Sequence, residues 1–426
     1  MKKFTSEIFF ITLYVYALHG VILEAFSAAE FLRPVILLFC DLSVIALGLT
    51  AIRERSLYLK ICLAFIVIST FSFIWNIYDV NLITHLNGIR QFLIVFFSLM
   101  FTRHILTSVC AQAFHHKFNR YVYIFLYLQL LVSIPQFFIF GGGDRVGGTI
   151  GSGGSGVLTL LVYILVLYLI IDKSAQEGKA YPDFSIALRH LHFLIPSFIN
   201  ETKITFILIP LFVLVLLHFS RRTIIQSVFA LGLFVAIMFL FNKYYSHTLS
   251  DEYQRKPENA IQTFTQQEFI QNYLLNQNTE NFNISRFTKI KIGFEILSKS
   301  TEDMIFGKGY GLFKGRTLIG ESDFARRYNW LLYGTNNYLF FLLIQGGIAL
   351  VLLTVFTFIY PLLPFRKNSS LAIVINRYRL FLVLVFILIL FYNTAPKSGV
   401  FMLPLAYLYN YINHYIVAVN NPADET

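Results

Sequence analysis

The chain has 426 residues, 56% of them hydrophobic and only 13% charged, with a mean hydropathy of +0.64. No soluble globular class fits those values, because a water-solvated exterior would have to expose that apolar content. The formal net charge of +11 needs no nucleic acid to explain it, since the phospholipid of an inner leaflet is anionic.

A hydrocarbon core about 30 Å thick takes roughly 20 apolar residues in helical form. Twelve runs approach that length: 8–26, 33–52, 57–77, 83–102, 121–140, 156–171, 184–200, 204–219, 223–242, 337–363, 377–394 and 399–418. The seventh is the weakest, because Arg189, His190 and His192 interrupt it. The first has Met1-Lys2-Lys3 ahead of it and "SAA" (27–29) behind, as a signal peptide would. It also carries His19 and Glu24 and leads straight into another run, so it reads as a retained span. With both termini inside, the inner segments hold seventeen Lys and Arg and the short outer loops only Arg33, Arg145, Lys203 and Lys397. That bias sets both termini in the cytoplasm. Cys40, Cys62 and Cys110 fall in spans or on the inner side, so the outer face has no thiols for a disulfide framework or a Cys-ligated metal.

The expected fold class is therefore an all-α integral membrane protein with about twelve transmembrane helices. Residues 1–242 form a bundle of nine, 243–333 a large outer loop, and 334–426 three more helices and a tail. The loop is nearly neutral, with twelve Lys/Arg against ten Asp/Glu. Within it, 285–300 sets Phe287, Ile290, Phe294 and Leu297 on one helical stripe behind Ser285 as N-cap, and 259–278 reads as a second, more polar helix. Such a loop is expected to fold as a small cap on the membrane domain.

In chain order, the residues that could carry chemistry begin with Arg90 in "HLNGIRQFLIVFF" (85–97). It lies roughly 10 Å inside the outer boundary at 1.5 Å per residue and needs an ion-pair partner or an aqueous cavity. The glycine-rich "GGGDRVGGTIGSGGSG" (141–156) has Asp144 and Arg145 as its only charges. It is either a flexible turn or a place where backbone N–H groups and a guanidinium approach an anion. In "FINETKITFILIPLF" (198–212), Glu201 and Lys203 stand at the mouth of a span. That lysine either snorkels to headgroups or meets a ligand. Arg286 starts the striped loop helix, off its apolar face. "MIFGKGYGLF" (304–313) has Gly-x-Gly-x-Gly without the strand and helix of a dinucleotide site, so it reads as a tight turn beside the membrane. Last, "TNNYLFFLLIQGGIALVLL" (335–353) puts Asn336, Asn337 and Tyr338 at the lip of an apolar run that twin glycines interrupt. "ESD" (321–323) is too short a signal to imply a metal, and no cofactor is expected.

The order of these motifs over residues 80–355 resembles the bacterial O-antigen polymerase and O-antigen ligase family. "RVGGTIGSGGSGVLTLLVYILVLY" (145–168) is similar to that family's Arg-x-x-Gly stretch before a span, and "NETKITFILIPLF" (200–212) to its basic element, with Lys203 where arginine is common. Residues 285–311 resemble the loop helix that opens on arginine and ends in Gly-x-Gly-x-Gly, and 335–353 the His-Asn-x-Tyr-Leu stretch opening the next span. Here Thr335 replaces that histidine, which favours polymerase over ligase. The resemblance implies a glycosyltransferase of GT-C-like architecture in the bacterial inner membrane, working on the periplasmic face. It would join undecaprenyl-diphosphate-linked oligosaccharide repeat units, alongside membrane lipid and a chain-length regulator protein. Arg145, Lys203 and Arg286 would stabilise the departing diphosphate, and Arg90, Glu201, Asn336, Asn337 and Tyr338 would bind substrate. A flippase of lipid-linked oligosaccharide is the competing class, although transporters place their polar groups nearer the bilayer midplane.

Overall fold

Where the apolar runs begin to coil is set by polar caps. Ser56, Asn81 and Asn337 each accept a hydrogen bond from the backbone N–H three residues on, at 3.3, 2.8 and 2.7 Å, satisfying donors that a helix start leaves open. The computed structural model describes residues 2–25, 32–108, 110–141, 143, 145–177, 184–200, 204–216, 286–313, 323–332, 337–363 and 370–415. All regular structure among them is helical. The helices are α1 (Lys2–Ala25), α2 (Arg33–Leu49), α3 (Leu57–Trp75), α4 (Leu82–Leu106), α5 (Ala111–Phe140), α6 (Ser155–Gln176), α7 (Phe184–His190), α8 (Ile195–Ile199) and α9 (Thr205–Leu216). They continue with α10 (Arg286–Leu297), α11 (Thr301–Phe306), α12 (Asp323–Tyr328), α13 (Tyr338–Ile359), α14 (Ser370–Tyr392) and α15 (Gly399–Asn410).

Eight of these, α1 to α6, α13 and α14, are long and apolar enough to cross a membrane. The protein is a multi-pass α-helical membrane protein. Two of the twelve expected runs are broken, and two others lie partly or wholly outside the described residues. Run 184–200 divides into α7, a 3-10 turn at Leu191–Leu194 and α8, with its His and Arg residues and Pro196 at the breaks. The described part of run 204–219 forms α9, which ends at that run's last described residue, Leu216. Run 399–418 is α15 followed by a π-helical turn at Tyr411–Tyr415. Run 223–242 and the polar helix expected at 259–278 lie outside the described residues.

The centre of the bundle is made by α6 and α15, whose apolar side chains are buried on nearly every side. Near the far end of α6, about 24 Å along the helix from Gly156, Asp172 ties three elements together. Its carboxylate accepts hydrogen bonds from Asn119 at 2.9 Å, from Gln176 at 2.8 Å and from Tyr411, and His115 lies 3.3 Å away.

The opposite end carries residues 286–313, held by the twin glycines of α13. At Gly347 the backbone leaves helical geometry, with φ 62° and ψ −162°, a region that only glycine occupies freely. The break releases two carbonyls, and the Gly-x-Gly-x-Gly turn takes them: Lys308 N–H donates to Ile344 O at 2.7 Å and Gly309 N–H to Gln345 O at 3.2 Å. Asn76 of α3 closes the turn from the other side, donating to Gly307 O at 3.0 Å. The break lies eight or nine residues into α13, roughly 12 Å along it. Irregular backbone at that depth is tolerated only inside protein, and Gly307, Gly309, Tyr310, Gly311 and Leu312 are all buried. The tight turn expected beside the membrane is thus sunk into the bundle, between α3, α4 and α13.

Candidate functional site

The site is built around the corner that joins α14 to α15, residues 392–399. Arg286, the first residue of α10, lays its guanidinium over the Tyr392 ring, 4.4 Å from the centroid. Its main chain is fixed as well, because Asn337 donates from Nδ2 to Arg286 O at 2.9 Å while its Oδ1 caps α13. Lys397, in the 3-10 turn Ala395–Lys397, sets its ammonium 3.3 Å from the centroid of the Phe341 ring. Asn337 is the N-cap of α13 and Phe341 lies in its first turn. Arg286 and Lys397 therefore meet α13 within a single turn of each other.

A further cation lies close to Arg286. Lys289 follows Arg286 by three residues on the same face of α10 and is completely buried. Burial, together with the Arg286 charge, pushes its ammonium pKa down to about 8. This burial turns the expected stripe in part, for Leu297 is buried and Ile290 packs against the same cluster while its two phenylalanines are not buried. The buried residues of α10 are Lys289, Gly293, Ile296 and Leu297, while Phe287 and Phe294 are exposed. Gly293 decides the rotation, because the helix face without a side chain admits the Phe340 ring, 3.3 Å from where a Cβ would stand. Phe287 instead stacks on Phe391 of α14. Ser285, the expected N-cap, lies outside the described residues.

The glycine-rich loop comes to the same corner by its last residues. A Cβ on Gly156 would stand 3.5 Å from Asn393 Nδ2 and 3.7 Å from the Tyr392 ring. Residues 148–152 of the loop are tied down rather than open to an anion. Gln129 and Gln136, two turns apart on α5, hold it: Gln136 accepts from Gly148 N at 2.8 Å and Gln129 from Thr149 N at 2.9 Å. The Glu24 carboxylate of α1 takes the N–H and hydroxyl of Ser152. The N–H groups of Gly148, Thr149 and Ser152 are thus spent on the protein's own side-chain oxygens. Arg145 is exposed beside this loop, and Asp144 lies outside the described residues.

Asn200 brings a further segment alongside, donating to Ser155 O at 3.2 Å and Thr159 Oγ1 at 2.9 Å. Glu201 and Lys203 follow it but lie outside the described residues, as do Asn336 and Thr335. Asn337 and Tyr338 are not rim groups: they are 0% and 1% exposed. Asn337 acts as a double anchor, and Tyr338 packs within the apolar core. Arg90 has the partner that its depth demanded, with Nε 3.0 Å from Asp41 Oδ2. Tyr16 donates to the other Asp41 oxygen, and its ring packs on Gly399 at the edge of the corner.

Sequence reasoning missed Asp41, Lys289, Tyr392 and the role of Lys397. Asp41 had a signal, an acidic residue in the middle of an apolar run. Lys289 had none, because a lysine three residues from an arginine on a polar helix reads as solvated. Compared with known proteins, the chain matches no protein-family model and no curated protein.

Proposed function

We propose that the protein is a membrane glycosyltransferase of the O-antigen polymerase kind. It joins polyprenyl-diphosphate-linked oligosaccharide repeat units at the periplasmic face of the bacterial inner membrane. The observation that carries this reading is the placing of Arg286 over Tyr392 and of Lys397 over Phe341 about one corner at the end of an apolar bundle, with the buried Lys289 one turn on from Arg286. Fixed cations at the rim of a lipid-embedded domain suit a ligand with an anionic head and a hydrocarbon tail.

The chemistry asked of such a site is modest. The bond between the anomeric carbon and the diphosphate oxygen breaks, the acceptor hydroxyl of the next unit bonds to that carbon, and negative charge gathers on the leaving diphosphate. Cations held in place beforehand stabilise that charge without reorganising. Arg286 is the residue best fixed for this, gripped through its carbonyl by Asn337 and through its guanidinium by Tyr392. Lys397 approaches from the facing turn. Arg90 is occupied by Asp41 and steadies α4 against α2.

Purified protein supplied with its cell's lipid-linked repeat unit tests the proposal. A ladder growing by whole repeats is expected, and Arg286→Ala is expected to abolish it at unchanged membrane levels. Transfer only onto lipid A core would replace this reading with ligation. Transbilayer movement without new bonds would replace it with transport.

A further inference from the structure

The first turn of a helix has N–H groups with no partner inside the helix, and a cap or a neighbouring oxygen normally accepts from them. α6 begins without a side-chain cap, because its N-cap residue is Gly154. No oxygen among the described residues accepts from the N–H groups of Gly156 and Val157, and both residues are partly exposed. Beside them stands another donor without an acceptor. Asn393 Oδ1 accepts from Ala395 N–H at 2.9 Å, which fixes the amide and shows which of its ends is the NH2. That NH2 group, Nδ2, is buried and makes no hydrogen bond. A Cβ on Gly156 would stand 3.5 Å from Nδ2 and 3.7 Å from the Tyr392 ring. Cα–Cβ bonds in a helix tilt toward its N-terminus, so this gap lies on the side to which the open N–H groups point. Arg286 lies over the same Tyr392 ring, and a positive charge therefore borders the gap.

We propose that the gap between the start of α6 and Asn393 is a subsite for a phosphate oxygen, with Gly156 N–H, Val157 N–H and Asn393 Nδ2 as its donors. Main-chain N–H groups at the positive end of a 22-residue helix and an amide NH2 are satisfied together by one oxyanion. The inference rests on the reading of this corner as a diphosphate-handling site and adds to it the uncharged groups that grip the ligand. It also divides the glycine-rich loop between two tasks. Residues 148–152 fasten it to α5 and α1, and Gly156 keeps a side chain out of the gap.

The oxygen can come from a lipid headgroup or from free diphosphate, so farnesyl diphosphate and inorganic diphosphate serve as probes. Each is titrated calorimetrically into the full-length protein in phosphatidylcholine nanodiscs. Two substitutions change the subsite and keep its supports. Asn393→Asp retains the acceptor for Ala395 N–H and puts a negative oxygen where the NH2 stands. Gly156→Ala meets only ordinary van der Waals distances and suits a helix better than glycine does, but its methyl group fills the gap. Exposure of the buried Cys40 and Cys62 to a thiol dye checks that both variants fold. A hydrogen bond to a charged group accounts for about 10- to 100-fold in affinity. Asn393→Asp is expected to lose at least that much, and Gly156→Ala about 10-fold. Loss with both probes assigns the subsite to phosphate oxygens as such, and loss with the farnesyl compound alone assigns it to a lipid headgroup. Wild-type affinity in either folded variant would overturn the proposal, and so would no binding of either probe. If Asn393→Asp does not fold, Gly156→Ala decides alone. Binding that depends on both residues without chain growth would sink glycosyl transfer and leave the subsite. Arg286-dependent chain growth with wild-type affinity in either variant would do the reverse.

Discussion

Replacing Gly347 by alanine tests the docking of residues 286–313 directly. The new Cβ would stand 2.5 Å from the carbonyl carbon of Ile305 and 2.7 Å from the carbonyl oxygen of Met304. Both are backbone atoms of α11, so no rotamer change relieves the overlap. The conformation itself, φ 62° and ψ −162°, costs a side chain of order 1–3 kcal/mol. Relief requires α11 and the turn behind it to lift from α13. That breaks the hydrogen bonds from Lys308 and Gly309 to the released carbonyls, each contributing about 1 kcal/mol net. The expected loss is about 3–5 kcal/mol, a large part of the 5–15 kcal/mol typical of a whole domain. Gly153→Ala is the control: φ is +77° and no heavy atom lies within 4 Å of its Cβ, so only strain of about 1–2 kcal/mol applies. Cys40 and Cys62 are buried, and their reaction with a thiol dye on denaturation in mild detergent reports unfolding. If Gly347→Ala loses no more than Gly153→Ala, the docking described here is wrong.

Other substitutions probe the corner and its supports. Asn337→Ala removes a cap and leaves Arg286 O without its donor, and should cost about 2 kcal/mol; Asn337→Asp, which keeps the cap, should recover roughly half in the same unfolding assay. Asp41→Asn leaves Arg90 without its counter-charge inside the bundle and should cost about 3 kcal/mol, with part regained in Asp41→Asn/Arg90→Gln; equal losses in single and double variants would dismiss the pair. Lys289 titrates lower in the folded protein than its ordinary 10.5, so between about pH 8 and 10.5 the unfolded chain binds the proton and the native one does not. Stability of wild type relative to Lys289→Met should therefore rise with pH across that window, by of order 2 kcal/mol after solvent screening; a constant difference refutes the shift. Arg145→Cys should react with a membrane-impermeant maleimide in intact spheroplasts, and labelling only after lysis would invert the proposed topology.

What the sequence made legible follows periodicity and local chemistry. Eight apolar runs became long helices because length and composition suffice for that. Run 184–200 broke where its polar residues and Pro196 sit. Pairings between distant positions were hidden: Asp41 with Arg90 and the Gly347 break with residues 307–311 both need the fold. The glycine-rich loop misled because composition records available N–H groups but not the Gln129, Gln136 and Glu24 oxygens that consume them. Lys289 misled in the opposite direction, since it is buried on account of Gly293 and a neighbour on another helix.

The sunken turn also orders the protein's biogenesis. Residues 307–311 leave the ribosome before the stretch 344–347 that receives them, and at 5–20 residues per second that interval is a few seconds. During it the turn's N–H groups must stay hydrated outside the bundle. It can seat only when the following segment exits the translocon laterally and kinks against α3. A truncation ending before residue 344 should therefore leave this stretch open to protease, and one ending beyond α13 should protect it.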